Sequence, residues 1–421
     1  MNKKIGTDIY TNTTCGVALP YLSLPLLKRV FLTWTLLICL YPQKGFSDFY
    51  SIDPAYMDPT DLASGGASTT FATNEGMVFS NPALLPVVPT TLRWLGTRIS
   101  IMPTKGAIDA FSGDIPEFDP NDISTSLDAF SEVDVGVGAG STLLTFIMSN
   151  FAIVPVGTDL RVALGFRKFG SLESGSPNYE AFLDLENKTG LAVAFALRPV
   201  NWWSFGVTGK GFLVTDQLVS IPLNISEFAA DPDSATASIN TAIEDAAKAS
   251  PTQQVVGYDV GNLFFFQGSN IDLRLATVVR DVGGATISEG SLDGLVDVEA
   301  GETPAVVEET PKEKPQAIDV GVGLTLHTQS SFIHFAADIK DYQNAYNAPD
   351  FKRYALGVKA HFARWVALGA GVRHGYGTMG MEADLILFRL SASKYTNVLG
   401  DDPAGRKREF YHVSLAFGTD F

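Results

Sequence analysis

The chain has 421 residues, long for one globular core, and only 18% are charged while 46% are hydrophobic and 39 are Gly, against roughly 25% charged in an ordinary soluble domain. A net charge of −16 excludes a nucleic-acid surface, which calls for a basic patch. The only cysteines are Cys15 and Cys39, so everything downstream is without a disulfide or a cysteine metal site.

Lys28 and Arg29 precede an apolar run over 30–40 and a polar stretch over 41–47. This is the charged, apolar and polar order of a secretory signal, and Gly45 and Ser47 supply the small residues for cleavage before Asp48. The apolar run is too short to span a bilayer as a helix. Residues 1–47 are therefore read as a signal peptide, with 1–27 an overlong start. Beyond it no segment reaches the ~18 apolar residues of a spanning helix. A hydrophobic exported chain of this kind crosses a membrane with strands whose residues alternate between lipid and lumen.

Residues 53–89 do not alternate. They are rich in small residues, namely Ala63-Ser64-Gly65-Gly66-Ala67-Ser68, Asn74-Glu75-Gly76 and Asn81-Pro82-Ala83. That density of glycine disfavours a stable helix.

From there the period changes to two. Strands are expected at 91–102, 143–155, 159–170, 190–198, 202–213, 254–266, 270–280, 317–326, 331–341, 352–361, 365–374, 379–386, 388–396 and 409–421, about fourteen and even in number, as bacterial barrels require. In the last of these Tyr411, Val413, Leu415 and Phe417 form one face and His412, Ser414, Ala416 and Gly418 the other. Val320, Val322 and Leu324 oppose Asp319, Gly321 and Gly323. Leu356 and Val358 oppose Gly357 and Lys359, and Leu273 and Leu275 oppose Asp272 and Arg274. A soluble sandwich also alternates, but the connections favour a barrel. Short turns at 156–158, 199–201, 267–269, 327–330 and 362–364 interleave with long stretches at 103–142, 214–253, 281–316, 342–351 and 397–408, as periplasmic turns and extracellular loops do. Within one long loop, Ile239, Ala242, Ile243 and Ala246 stand at helical spacing over 231–250. Residues 299–316 are Pro- and Glu-rich and read as disordered. Phe421 ends the chain on an aromatic, a signal read by the outer-membrane barrel assembly machinery, although Thr419 departs from the usual aromatic there.

The ordered set Gly65-Gly66-Ala67, Asn74-Glu75 and Asn81-Pro82-Ala83, ahead of such a barrel, resembles the FadL-like outer-membrane transport superfamily, which includes long-chain fatty-acid transporters and the PorV-type and TraF-type envelope proteins. The resemblance implies an all-β fold: a transmembrane antiparallel up-and-down β-barrel over 91–421 with residues 48–90 as a luminal hatch. Gly65, Gly66, Ala67, Asn81, Pro82 and Ala83 are then the hatch or gate residues. It also implies a capture groove in the outer loops, for which Ile239, Ala242 and Ile243 are candidates. A barrel of this width is not filled by its own wall side chains, so something plugs it or it conducts water.

No His-Glu-x-x-His, Gly-x-Ser-x-Gly, phosphate loop or dinucleotide fingerprint is present. His327, His334, His361, His374 and His412 fall at strand ends or on lumen faces, so no enzyme chemistry, metal or cofactor is expected. The expected location is the outer membrane of a diderm bacterium, in contact with its lipid. The expected function is passive passage of small hydrophobic molecules such as fatty acids. A non-transporting partner, shuttle or anchor for envelope proteins, and a general porin or surface adhesin, stand as alternatives.

Overall fold

The structure, a computed structural model, describes residues 58–87, 93–113, 134–169, 178–223, 252–290, 313–328, 331–362, 365–385, 388–398 and 407–420, together with 125, 126, 129 and 241. All of the long segments belong to one compact unit, Lys44–Phe421. The expected signal, the helical spacing over 231–250, the Pro- and Glu-rich stretch over 299–312 and the terminal Phe421 lie outside the described residues.

The strands are β1 (Arg93–Pro103), β2 (Asp134–Met148), β3 (Phe151–Phe169), β4 (Asn178–Val200), β5 (Trp203–Leu223), β6 (Thr252–Gln267) and β7 (Ile271–Arg280). After them come β8 (Ala285–Gly290), β9 (Glu313–Lys314), β10 (Ala317–His327), β11 (Ser331–Ile339), β12 (Tyr354–Phe362), β13 (Val366–Arg373), β14 (Tyr376–Leu385), β15 (Phe388–Val398) and β16 (Lys407–Asp420). Each pairs antiparallel with its neighbour, β7 pairs with β10, and β1 pairs with β16, which closes a barrel of 14 strands. Closure leaves no sheet edge exposed to lipid. β8 resumes the path of β7 after a kink at Asp281 to Gly284 and pairs with the outer part of β6, and β9 adds to β8. Among the described residues the short helices that accompany the strands include α1 (Pro59–Ala63), α2 (Gly76–Ser80), α3 (Lys105–Ser112) and α4 (Asp350–Arg353), with a 3-10 turn at Pro82–Leu84.

Parity sorts the wall as the alternation requires. Ile99, Ile101, Leu275, Leu356 and Val413 are exposed outward, while Arg98, Ser100, Ala276, Ala355 and Ser414 are buried inward. Trp202, Phe266, Phe362 and Trp365 ring the short-turn end of the outer face, and Tyr258 and Tyr354 the opposite end. An apolar band between aromatic girdles is the outer surface of a membrane-spanning barrel.

The wall is uneven in height. β12 and β13 have 9 and 8 residues, close to the ~9–11 that one crossing needs. β3, β4 and β5 have 19, 23 and 21 residues, and they rise past the membrane on the long-loop side.

Four sequence expectations are corrected here. The turn placed at 156–158 is not a turn: Pro155 and Gly157 sit inside β3, where the pairing with β4 shifts register between Val156 and Asp159. A β-bulge absorbs the irregular residues and the strand continues. The chain instead reverses at Ser149 and Asn150, so β2 begins at Asp134, inside the stretch expected as a loop. β4 begins at Asn178 rather than near 190, because its upper half carries polar residues and lacks the apolar alternation. The turn between β13 and β14 shrinks to His374 and Gly375, both at positive φ (50 and 78), the geometry of a tight type I′ hairpin.

Candidate functional site

Residues 58–87 are packed against the inward faces of the strands, and nearly every side chain among them is buried. Asp58 caps α1, accepting from the Thr60 N–H and hydroxyl at 2.9 Å each, and Pro59 presets the first turn. The Ser64 hydroxyl closes the other end on the Thr60 carbonyl at 2.8 Å. Short helices thus form where a glycine-rich segment was expected to resist them; caps and burial supply what propensity does not.

Gly65 and Gly66 follow at φ 71 and 70. The Gly65 N–H donates to the Thr378 hydroxyl at 3.0 Å, and that hydroxyl donates to the Ala63 carbonyl at 2.9 Å. At Gly65 a Cβ would land on the Leu356 carbonyl oxygen, so backbone lies on backbone against β12 and β13. Ala67 packs with Phe71, Ala336 and Ala355. Thr69 donates its N–H to Asp338 Oδ2 at 3.0 Å and its hydroxyl to Oδ1 of the same carboxylate. Asn81 ties the two halves of the segment together, donating to the Thr69 carbonyl at 2.8 Å while its Oδ1 accepts from the Ala83 N–H at 3.0 Å. Pro82 and Ala83 lie against Gly206 of β5, and the Ser204 hydroxyl donates to the Ala83 carbonyl at 2.7 Å. The six residues singled out as hatch or gate thus lie in one buried stretch. Ile239, Ala242 and Ile243 lie outside the described residues.

Other anchors were not singled out from sequence. Arg98 on β1 donates to Asp58 and, at 3.0 Å, to Glu75, gathering both ends of the segment's first half. Arg280 on β7 donates to the Phe79 and Ser80 carbonyls at 2.7 and 3.2 Å and pairs with Asp319 at 2.5 Å. Thr208 donates to the Val78 carbonyl at 2.8 Å. The available signal was an arginine at an inward position of an otherwise apolar strand, facing a segment with buried carboxylates to satisfy.

Those carboxylates differ in charge. Burial works against ionising Asp58, but the Arg98 guanidinium, the Thr60 N–H and Lys359 hold its carboxyl down at about 2. At Asp61 burial and then the Asp58 charge push the carboxyl well above the usual range, so it stays protonated beside an ionised neighbour.

The lumen wall is divided. Toward β10–β16 it is polar, with Asp338, Thr378, Lys359 and Glu382 facing in. Toward β2–β7 it is apolar: Ile147, Ala152, Val154, Ala192, Ala194, Phe212, Leu263 and Phe265 form one core with Met77, Val78, Phe79, Ala83 and Leu84 of the segment. Among the histidines, His327 pairs with Asp272 at 2.7 Å, and His334 stacks on Phe71 at 5.0 Å and meets Thr325 at 2.6 Å. Among the described residues no three His, Cys, Asp or Glu are grouped to hold a metal ion.

These features define a closed, membrane-spanning β-barrel whose interior is occupied by its own N-terminal segment. No known protein family and no curated protein matches the chain. Solved structures similar to it include the Pseudomonas putida toluene transporter TodX, with a TM-score of 0.42 and 13% identity over 88% of this chain and 100% of that one. The CymD monoaromatic hydrocarbon channel has a TM-score of 0.44 and 11% identity over 89% and 99%. A Pseudomonas aeruginosa FadL homologue has a TM-score of 0.34 and 10% identity over 87% and 98%.

Proposed function

We propose that this protein sits in an outer membrane and lets small hydrophobic molecules pass through passively, with residues 58–87 as a hatch whose displacement opens the way. The observation that carries this reading is the apolar sector of the lumen on β2–β7. A water-filled porin lines its interior with polar side chains, whereas a wall of Val154, Ala194, Phe212 and Leu263 offers an apolar solute a surface on which it loses nothing by leaving water. The hatch packs against this side and is also hydrogen-bonded there by Ser204, Thr208 and Arg280, so its removal uncovers an apolar track beside a polar wall. Fatty-acid-like molecules fit this chemistry, and Gly65, Gly66, Ala67, Asn81, Pro82 and Ala83 are the residues on which seating turns.

A reversible tether tests the reading. Ala83→Cys with Ser204→Cys places two thiols on residues already in contact, the Ser204 hydroxyl lying 2.7 Å from the Ala83 backbone carbonyl. In proteoliposomes the oxidised pair is expected to reduce entry of a labelled fatty acid at least tenfold, and dithiothreitol to restore it. Entry that is equal with and without the disulfide, or indistinguishable from protein-free vesicles, overturns the proposal.

A further inference from the structure

On the long-loop side of α1 the lumen is crossed by side chains from strands that are not neighbours. Arg408 at the start of β16 donates to Asp184 Oδ2 on β4 at 2.6 Å. In the ring these strands are separated by β1, β2 and β3, so the bond bridges the interior instead of stitching the wall. The strands that reach across are the tall ones, β3 and β4, and they bring further charge with them. Arg161 lies 3.4 Å from Glu186 and 3.3 Å from Asp159, and Lys188 pairs with Glu186.

Beneath this charged layer lies an apolar one. Met102 of β1, Tyr395 of β15 and Phe410 of β16 pack with Leu62 of α1. The Tyr395 and Phe410 rings stack at 5.3 Å, and the Arg373 guanidinium stands 5.9 Å from the Tyr395 ring centre. Exposure falls between the layers: the side chains of Arg161 and Asp184 keep 31% and 24% of their surface, Arg408 keeps 7%, and Tyr395 and Phe410 keep 2% and 4%. Water reaches the Asp184 end of the bridge and stops at the rings.

We propose that these two layers form a second closure of the lumen, in series with the hatch and on its outer side, with the Arg408–Asp184 bridge as its crossbar. Water screens the bridge at its Asp184 end, so it is held less firmly than a fully buried pair, which suits a barrier that must part. The apolar layer below is what excludes water while it is shut. Two barriers in series mean that release of the hatch alone does not connect the two sides of the membrane. The crossbar also sets what can enter along the axis, because a solute must part an ion pair before it meets the apolar rings. This holds whatever the barrel carries, so its failure leaves the transport reading standing.

Accessibility from outside decides it. In the full chain with Cys15 and Cys39 replaced by Ser, Met102→Cys reports the space beneath the crossbar, and Asn344→Cys, on an exposed loop, reports insertion. Intact cells are treated with an impermeant maleimide. Met102→Cys is expected to label slowly, at least tenfold faster when combined with Arg408→Ala or Asp184→Ala, and slowly again in the exchanged pair Arg408→Asp with Asp184→Arg. Asn344→Cys labels at one fast rate in every background. The proposal is overturned if Met102→Cys labels as fast as Asn344→Cys at the outset, if neither alanine variant accelerates it, or if the exchanged pair fails to restore protection.

Discussion

Arg98 and Asp58, forty positions apart, form a fully buried ion pair that fastens the start of the hatch to the first strand of the barrel. The same guanidinium also holds Glu75, so one side chain on the wall satisfies two carboxylates of the segment. Arg98→Met leaves both without their cation, and breaking a buried pair from one side costs about 3–5 kcal/mol. Limited proteolysis in detergent is expected to cut within 58–87 in this variant and not in the parent. Arg98→Lys is expected to rescue poorly, because a point charge cannot serve two separated acceptors as a fork does. Equal resistance in parent and Arg98→Met would remove Arg98 from the seating of the hatch.

Seating also depends on pH, with opposite signs at two neighbouring carboxyls. Asp58, held at about 2, contributes above the ordinary carboxylate range and loses its contribution as pH falls through about 2. Asp61, raised by burial and by Asp58, contributes below its ordinary value and loses its contribution as pH rises through its raised value. Hydrogen exchange of the 59–66 amides is therefore expected to speed up toward alkaline pH beyond its intrinsic dependence. Asp61→Asn, which cannot ionise, should abolish that excess; an unchanged pH profile in Asp61→Asn refutes the assignment.

Gly65 is a test of close approach. At φ 71, and with the Leu356 carbonyl where a Cβ would stand, Gly65→Ala meets both backbone strain and a clash. A loss of about 1–3 kcal/mol of seating is expected from the conformation alone, read as faster exchange across 59–72. Gly113 is the control: its φ is 83, and a Cβ there meets nothing within 4 Å. Gly113→Ala should leave the hatch untouched.

Orientation follows from the connections. The turns at 149–150, 201–202, 268–270 and 363–365 are short, and the opposite end carries 281–316 and 340–353. Asn344→Cys is expected to label on intact cells and Ser269→Cys only after the outer membrane is permeabilised. The reverse result inverts the barrel and moves the crossbar to the periplasmic side.

The strands from β10 to β16, which meet lipid on one face and the lumen on the other, were legible to within a few residues. In β10 the outward set Val320, Val322 and Leu324 and the inward set Asp319, Gly321 and Gly323 stand as alternation places them, because lipid and lumen demand opposite chemistries. The alternation fails where one of those demands lapses. Above the membrane β4 runs through Glu186, Asn187 and Lys188 with water outside, so nothing in that stretch announces a strand. In β2 the inward residues Gly136, Gly138 and Gly140 leave room for Thr104, Met102 and Ser100, and a run of glycines reads as a loop until those neighbours are seen. Of the hatch, the small residues were legible and their wall partners were not. Asp338, Thr378 and Arg280 become visible as anchors only once the barrel is closed around the segment.

That dependence fixes an order of events in assembly. The Gly65 N–H finds its acceptor on Thr378, 313 residues further along the chain, and Thr69 finds Asp338 269 residues on. Part of the segment's binding surface thus lies on strands made late, and contacts of such long sequence separation form slowly. Its anchors on β1 and β5 are available earlier, but its seating is complete only when β11 and β14 are in place. Burial of the Thr69 hydroxyl on Asp338 is then a marker of completion: an intermediate in which those two strands are not yet in place leaves 58–87 sensitive to protease, and the finished molecule does not.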